Sequence, residues 1–253
     1  MTKRFSQRDR RNNVYFFSDA HLGLGPKEEE LQKERSIVQF LDMVQADGKE
    51  LFILGDLFDF WFEYRTVIPK GYFRLFTKLA DLTASGIRVS YIAGNHDFWL
   101  RSYFQDDLGI EVFPDPIERV IGAKRFYLHH GDGLLKNDTG YRILKKVLRS
   151  KTNIFLFSLL HPDLTGWFAQ WSSRASRKHT SKQHYEENDM VEFAANKIQQ
   201  GFDFVIMGHN HKSLQRKLGR GMYVNLGDWI HENTYAVFDG SRLSLKSWKR
   251  REG

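Results

Sequence analysis

The chain has 253 residues, a length that suits one large α/β domain. It contains no cysteine, which excludes disulfide bonds and thiolate metal sites, so any metal must be held by oxygen atoms and imidazole rings. Its 38 basic and 31 acidic residues give a formal net charge of +7, which favours an anionic partner: a phosphorylated substrate, nucleic acid or an anionic membrane surface.

The first eleven residues are too polar for the apolar core of a secretory signal, and no apolar run approaches the length of a membrane span. We therefore expect a soluble protein of the cytoplasm.

The first hundred residues predict strands that alternate with helices. Apolar runs at 14–17, 51–54 and 89–93 are typical of buried strands, whereas 28–45 and 72–85 carry apolar residues at helical spacing. This order favours a sheet covered by helices. The rest of the chain predicts mainly strands, the last three as a meander, at 110–113, 117–120, 125–128, 204–207, 222–226, 235–238 and 243–248. The mixture predicts two packed sheets with helices outside.

Residues 134–190 do not have the pattern of core elements. They contain an apolar run at 154–160, then Trp167 and Phe168, and a basic run at 174–182. We interpret this segment as a helical insertion, or cap, within a single domain that spans 1–253.

Five predicted strands end in side chains that can bind metals. The sets are Asp19 and His21; Asp56 and Asp59; Asn95, His96 and Asp97; His129, His130 and Asp132; His209 and His211. Each set alone is weak evidence, because Asp-x-His and His-x-His occur by chance. Ligands of open α/β sheets bind at the carboxyl ends of strands, so five sets in order predict one shared site.

These sets resemble the motifs of the calcineurin-like metallophosphoesterases, over about residues 15 to 211. They are Asp19-x-His21, Gly55-Asp56-Leu57-Phe58-Asp59, Gly94-Asn95-His96-Asp97, His130-Gly131-Asp132 and Gly208-His209-Asn210-His211. The resemblance implies an α/β fold, a four-layer αββα sandwich of two mixed sheets flanked by helices, with a dinuclear metal centre.

The resemblance also implies roles for these residues. One metal would be held by Asp19, His21 and His211, the other by Asn95, His130 and His209, with Asp56 bridging the two. Oxygen and nitrogen ligands without sulfur suit Mn²⁺, Fe²⁺ or Zn²⁺, of which we favour Mn²⁺.

Outside the predicted ligands, His96 would stabilise developing charge or protonate the leaving oxygen, and Asp59 would orient it. Neighbouring strand residues face opposite ways, and the family pattern selects His130 rather than His129 as the ligand. For Asp97 and Asp132, hydrogen bonding to the backbone and a catalytic role both remain open.

A narrower resemblance concerns the substrate. Residues 55–61, 130–132, the Asn137-Asp138-x-x-Tyr141 stretch and the basic run look like those of the UDP-2,3-diacylglucosamine pyrophosphatases of lipid A synthesis. This implies hydrolysis of a nucleotide-linked lipid to UMP and 2,3-diacylglucosamine 1-phosphate, by an enzyme peripherally bound to the cytoplasmic face of the inner membrane. The candidate substrate-binding residues are Asn95, His96, Asp138, Tyr141, Arg174, Arg177 and Lys178.

Several alternatives remain. The best-known branch of these pyrophosphatases has Arg where this chain has His96, so another nucleotide diphosphate is a second candidate substrate. A nuclease or cyclic-nucleotide phosphodiesterase would use the same centre, but the basic residues form no extended stripe for nucleic acid. A non-catalytic scaffold is disfavoured because every expected ligand is present, and no obligate protein partner is implied. Apolar residues of the insertion, Phe157 and Trp167 among them, either bind acyl chains or pack helix on helix.

Overall fold

Two mixed β-sheets form the centre of the structure, a computed structural model that describes residues 11–134, 139–164 and 186–249. The strands in chain order are β1 (Asn13–Phe17), β2 (Gly48–Ile53), β3 (Arg88–Ile92), β4 (Glu111–Phe113), β5 (Ile117–Ile121), β6 (Lys124–Leu128), β7 (Phe204–Met207), β8 (Ser213–Leu218), β9 (Gly221–Leu226), β10 (Thr234–Phe238) and β11 (Leu243–Ser247). The first sheet has the order β11-β10-β1-β2-β3-β4, and the second has the order β5-β6-β7-β9-β8.

The described residues form five α-helices. They are α1 (Lys27–Asp47), α2 (Phe73–Ala84), α3 (Thr139–Leu148), α4 (Lys151–Ser158) and α5 (Glu186–Gln199), with a single π-helical turn at Tyr103–Asp107. The apolar faces of α1 and α2 pack on the first sheet, and α5 packs on the second. The predicted four-layer sandwich is therefore confirmed.

Successive side chains of β1 point to opposite faces of the first sheet, and this alternation explains how the sheet packs between the second sheet and α1. Val14 and Phe16 point towards the second sheet, where the Phe16 ring stacks on Phe126 with centroids 5.9 Å apart. Tyr15 and Phe17 point the other way and pack under α1. A strand whose two faces are both buried carries an unbroken apolar run, which is the pattern seen here.

The direction of the strands decides where the site forms. β1, β2 and β3 run parallel to one another in the first sheet, and β6, β7 and β9 run parallel in the second. The loops that follow β1, β2, β3, β6 and β7 carry the predicted ligands. Contacts between these loops, described below, show that the strand ends meet at one edge of the sandwich.

The predicted meander at the end of the chain is wrong in its connections. β9 pairs with β7 and β8 in the second sheet, whereas β10 and β11 pair in the first. The chain crosses between the sheets after Leu226 and enters β10 at Thr234. β8 was not predicted, because the Gln215-Arg216-Lys217 stretch at its centre is polar and exposed at the edge of the sheet.

Helices α3 and α4 lie within the predicted insertion, between β6 and α5. The last predicted residues of the insertion, from Glu186, belong to α5, whose Met190 is buried against the second sheet. Large apolar side chains on and after the two insertion helices are exposed: Ile143, Val147, Phe155, Leu156, Leu159, Leu160 and Leu164. In the described part of the chain, no helix has both the length and the apolar character that crossing a membrane requires.

Candidate metal centre

The loops after five strands bring the predicted ligands together, and their backbone conformation is unusual. Seven residues other than glycine have a positive φ in the described ranges. Five of them are predicted ligands: Asp19, His21, Asp56, His209 and His211. This left-handed conformation is uncommon outside glycine and tends to cluster at functional sites, so the strain marks the site independently of its chemistry.

The first ligand group lies between the two sheets. His21 Nε2 lies 3.1 Å from His211 Nε2, and His211 Nε2 lies 3.4 Å from Asp19 Oδ1. Asp19 is fully buried, and its carboxylate accepts the backbone N–H of His209. The three side chains therefore aim their donor atoms at one point.

The second group contains Asp56, which also lies close to the first. His130 Nδ1 donates to the Leu54 carbonyl, which leaves Nε2 facing Asn95 Oδ1 at 2.9 Å and Asp56 Oδ2 at 3.2 Å. The same Asp56 oxygen lies 3.6 Å from His21 Nε2. His209 completes this group, in which the ligand atoms of Asp56, His130 and His209 all lie within 4.8 Å of one another. Asp56 thus occupies the position between the two groups that a bridging carboxylate needs.

His129 faces away from the centre. Its ring lies near the rings of Tyr127 and Phe193, and burial lowers its pKa to about 3, so it is neutral. The alternation of neighbouring residues therefore sends only His130 towards the other ligands.

Two glycines allow the loops to approach each other. A Cβ on Gly94 would overlap the Asp56 carboxylate, and a Cβ on Gly208 would overlap the Asp19 carboxylate. Both glycines directly precede predicted ligands, which explains their place in the Gly-Asn-His and Gly-His-Asn-His motifs.

The centre concentrates negative charge. Burial alone would lower the pKa of His21 and His130, but nearby carboxylates outweigh it: Asp19 and Asp59 at His21, and Asp56 at His130, raise each to about 10. Burial likewise opposes ionisation of Asp19 and Asp56, yet the neighbouring histidines hold both pKa values far below the usual range. Burial lowers the pKa of His209 to about 4. The carboxylates therefore stay ionised, and in the cation-free site the protonated rings of His21 and His130 carry positive charge beside them.

His96 lies beside the first group but outside it. Its ring is 4.8 Å from that of His21, and its Nδ1 donates to the backbone carbonyl of Asp59 at 2.9 Å. The Asp59 carboxylate is closer to His21 Nδ1, at 3.5 Å, than to His96 Nδ1, at 3.9 Å. Asp59 therefore holds His96 through its main chain and faces the ligand His21 with its side chain.

The two aspartates left open by the sequence differ in their contacts. Asp97 is fully buried and accepts backbone N–H groups from Asp56, Leu57 and Gly94, as well as the Tyr91 hydroxyl. These bonds organise the loops that carry Asp56 and Asn95, so Asp97 acts on the backbone.

Asp132 instead pairs with Lys145 of α3 at 2.7 Å, which ties the insertion to the loop after β6. Its carboxylate is buried, so the pairing neutralises a charge close to His130.

Asp228 is a buried residue of the site that the sequence analysis missed. It follows β9 in the sequence Leu226-Gly227-Asp228, the same strand-Gly-Asp signal that marks Asp56. Its carboxylate lies 3.7 Å from His211 Nδ1, on the side of that ring opposite the other ligands. A carboxylate behind a ligating histidine favours the tautomer that leaves Nε2 for a metal.

Lys33 is a second residue that the sequence did not reveal. Its Nζ donates to the carbonyls of Ala20 and His21 and pairs with Glu30, which in turn accepts the backbone N–H groups of Gly23 and Gly25. These contacts fasten the first ligand loop to α1. In an acidic helix turn, Lys33 carried no signal of this role in the sequence.

Four predicted substrate-binding residues lie outside the described residues: Asp138, Arg174, Arg177 and Lys178. The same holds for Trp167, for Phe168 and for the side chain of Tyr141. Asn95 and His96, the other two predicted substrate-binding residues, lie at the centre.

The donor set fits divalent cations. Two imidazole nitrogens lie 3.1 Å apart, and two buried carboxylates lie beside them. In the described ranges, the groups of candidate ligands include no Arg or Lys. Nitrogen and oxygen donors in this ratio suit Mn²⁺, Fe²⁺ and Zn²⁺. Two groups, with Asp56 in one of them and 3.6 Å from His21 Nε2 of the other, are compatible with a pair of cations.

Comparison with known proteins agrees with this geometry. The model of the calcineurin-like phosphoesterase family matches residues 13–213. The chain is similar to a UDP-2,3-diacylglucosamine hydrolase from Porphyromonas gingivalis, at 33% identity over 96% of this chain and 100% of that protein. A protein of the same name from Haemophilus ducreyi is 31% identical, over 85% and 91%. A solved E. coli phosphoesterase has 15% identity and a TM-score of 0.47, covering 93% of each chain. The chain therefore belongs to the calcineurin-like phosphoesterase family, as its motifs predicted, and is a metal-dependent hydrolase.

Proposed function

We propose that the protein hydrolyses the pyrophosphate bond of UDP-2,3-diacylglucosamine, releasing UMP and 2,3-diacylglucosamine 1-phosphate. The observation that carries this proposal is the similarity to the Porphyromonas gingivalis hydrolase along its whole length, insertion included. The buried, carboxylate-rich centre supplies the hydrolytic chemistry that such a reaction needs.

In this proposal Asp19, His21 and His211 hold one divalent cation, and Asn95, His130 and His209 hold the other, with Asp56 shared between them. When bound, such cations polarise phosphoryl oxygens and lower the pKa of water. We favour Mn²⁺, because carboxylate, amide and imidazole donors without sulfur match its preferences.

His96 acts on the leaving group. Because its Nδ1 donates to the Asp59 carbonyl, the ring keeps a fixed orientation and Nε2 remains for the substrate. From there the ring can donate a hydrogen bond or a proton to the oxygen that departs from the phosphorus atom. Asn95, next to it, combines a ligand position with contact to the same phosphate.

The insertion supplies the surface for the acyl chains. Phe155 and Leu159 of α4 and its C-terminal extension are 60% and 67% exposed, which is unusual for large apolar residues. Phe157 instead packs against the rest of the protein, because its ring centroid lies 4.8 Å from that of Phe62 and 4.6 Å from that of Trp99. The contribution of Asp138, Tyr141, Arg174, Arg177 and Lys178 to diphosphate binding remains a prediction.

Peripheral binding to the cytoplasmic face of an anionic membrane is part of the same proposal. The exposed apolar residues of the insertion lie in a segment that also carries Lys146 and Lys151, both exposed. Apolar and basic side chains on one exposed helical segment favour anionic lipid. Sedimentation with phosphatidylglycerol vesicles but not with phosphatidylcholine vesicles is expected, and equal partitioning would contradict this part.

The deciding experiment measures UMP release from UDP-2,3-diacylglucosamine by the purified protein with Mn²⁺. UDP-N-acetylglucosamine and an aryl phosphodiester serve as comparison substrates, and the Asp56→Asn variant controls for contaminating activity. Strong preference for the diacyl substrate supports the proposal. Hydrolysis of the aryl ester alone would retain the metal-dependent phosphoesterase and overturn the lipid substrate, which would favour another nucleotide or a nucleic acid.

A further inference from the structure

An arginine that follows α3 in the insertion contacts the loop that carries Asn95. Arg149 follows the C-terminal end of α3. Its Nη2 donates to the Gly94 carbonyl at 3.1 Å, and its Nη1 donates to the Pro114 carbonyl at 2.7 Å. Gly94 directly precedes Asn95, so the guanidinium bonds to the peptide group that also contains the Asn95 nitrogen. A residue of the insertion is therefore one peptide away from a predicted metal ligand.

The same peptide segment is held from the opposite side by the core. The Gly94 N–H donates to Asp97 at 2.9 Å, and Asp97 also binds the backbone of Asp56. With no room for a Cβ on Gly94, the segment lies directly against the Asp56 carboxylate. Asp97 thus anchors the N–H end of Gly94 to the sheet, and Arg149 anchors its carbonyl end to the insertion.

Neighbouring contacts place the insertion against the same loop. Trp99 Nε1 donates to the Leu148 carbonyl at 3.0 Å, at the end of α3 where a helix leaves carbonyls unpaired. The Phe157 ring of α4 packs on Trp99, and the Arg149 guanidinium lies 5.3 Å from the Phe98 ring centroid. These contacts fall on residues 94–99, which include both Asn95 and His96.

We propose that Arg149 is a positioning residue, which holds the 94–99 loop so that Asn95 and His96 face the metal centre only when the insertion is docked. The bidentate guanidinium reaches two carbonyls from different segments, a geometry that a lysine ammonium at the same place cannot reproduce. The inference rests on the metal-dependent hydrolase and does not require the diacyl substrate. It makes the substrate-binding insertion a structural support of the catalytic loop.

The test compares Arg149→Met and Arg149→Lys with the control Arg216→Met, which removes an exposed cation from the edge strand β8. Each full-length variant is assayed on an aryl phosphodiester, which has no acyl chains, and its Mn²⁺ affinity is measured by the electron paramagnetic resonance signal of unbound Mn²⁺. We expect Arg149→Met to lower kcat about tenfold to a hundredfold with little change in KM, because small displacements of catalytic groups are costly. Weaker Mn²⁺ binding should accompany it, Arg149→Lys should be intermediate, and the control should match the wild type.

A role confined to holding the insertion gives a different result. Arg149→Met would then keep wild-type Mn²⁺ affinity and aryl-ester kcat, and would lose activity only on UDP-2,3-diacylglucosamine; that result would overturn the proposal. If Arg149→Met does not fold, the variant Trp99→Phe tests the proposal instead. It removes the hydrogen bond to the Leu148 carbonyl and retains an aromatic ring against Phe157. It should lower kcat and Mn²⁺ affinity in the same direction, and unchanged values would be equally decisive against the proposal.

The two proposals fail separately. A wild-type protein that hydrolyses the aryl ester but not the diacyl substrate contradicts the proposed function and leaves the Arg149 comparison intact. A protein active on the diacyl substrate whose Arg149 variants bind Mn²⁺ and cleave the aryl ester normally contradicts only the positioning role.

Discussion

The metal centre and the insertion differ in what holds their side chains. The ligands of the centre follow buried strands, are held by backbone bonds, and are almost wholly inaccessible at Asp19, Asp56 and His130. The insertion presents exposed Phe155 and Leu159 and meets the remainder of the protein through isolated contacts, such as the Lys145 pair with Asp132.

Because of this difference, we expect the metal centre to carry out the reaction and the insertion to select the substrate. A charged centre must be preorganised, because buried carboxylates need fixed partners, and strand ends anchored in a core provide them. A surface for long acyl chains needs exposed apolar area and fewer fixed bonds. Substitutions in the centre should therefore change the reaction with any phosphoester, whereas substitutions on the exposed apolar surface of the insertion should change the preference among substrates.

The largest expected effect is at the shared carboxylate. Asp56→Ala should abolish hydrolysis of every substrate, because both ligand groups lose a donor at once. Rates and metal content of the purified variant check this, beside the control Glu118→Ala at a carboxylate whose side chain is 60% exposed on β5. Retention of both cations and of activity would show that Asp56 is not shared.

His96→Ala should retain the metals and slow turnover by about a hundredfold or more, the usual cost of losing an acid or electrostatic group. The variant should lose activity on the aryl ester as well as on the lipid, because His96 belongs to the centre. His161→Ala, which removes an exposed imidazole of the insertion, is the matched control. A variant that loses metal would instead make His96 part of the coordination.

Metal binding should depend on pH through His21. Its pKa is raised to about 10 in the cation-free protein, so at neutral pH its ring is protonated and a cation must displace that proton. The affinity for Mn²⁺ at the first group should rise about tenfold per pH unit between about pH 6 and pH 8. Calorimetry in two buffers of different ionisation enthalpy measures the released proton, and a pH-independent affinity with no release would contradict the charge state.

The smallest effect is expected on the insertion. Phe155→Ser combined with Leu159→Ser should lower kcat/KM for the diacyl substrate about thirtyfold, since two lost apolar contacts at about 1 kcal/mol each cost about 2 kcal/mol. The aryl ester should be unaffected. Val120→Ser, at a 72% exposed position on the second sheet, is the control. Equal losses on both substrates would mean that the two regions are not separable in this way.

Much of the centre could be predicted because its signals are local. Each predicted ligand follows an apolar run that forms a buried strand, as at Asp56 and His130. The type of each side chain indicates which metals it can bind. The same reasoning explains the success with α1 and α2, whose apolar faces recur at helical spacing.

The misses have equally physical reasons. Asp228 carried the strand-Gly-Asp signal, but its relation to His211 required β9 to lie parallel beside β7, a pairing that the predicted meander did not contain. β8 was missed because an exposed edge strand has no apolar run. Local periodicity reports which face of an element is buried and contains no information about which sheet receives it.

By itself, the sequence indicated two packed sheets with outer helices and a donor set without sulfur, because both depend on residue types and short-range spacing, and the resemblance of its motifs implied the reaction class. Only the tertiary structure decided the pairings across long separations: His21 with His211 over 190 positions, and Arg149 with Gly94 over 55. It also decided that Asp97 binds the backbone. Those contacts arise from how layers pack and loops approach, and the free energy that selects them is shared among many residues.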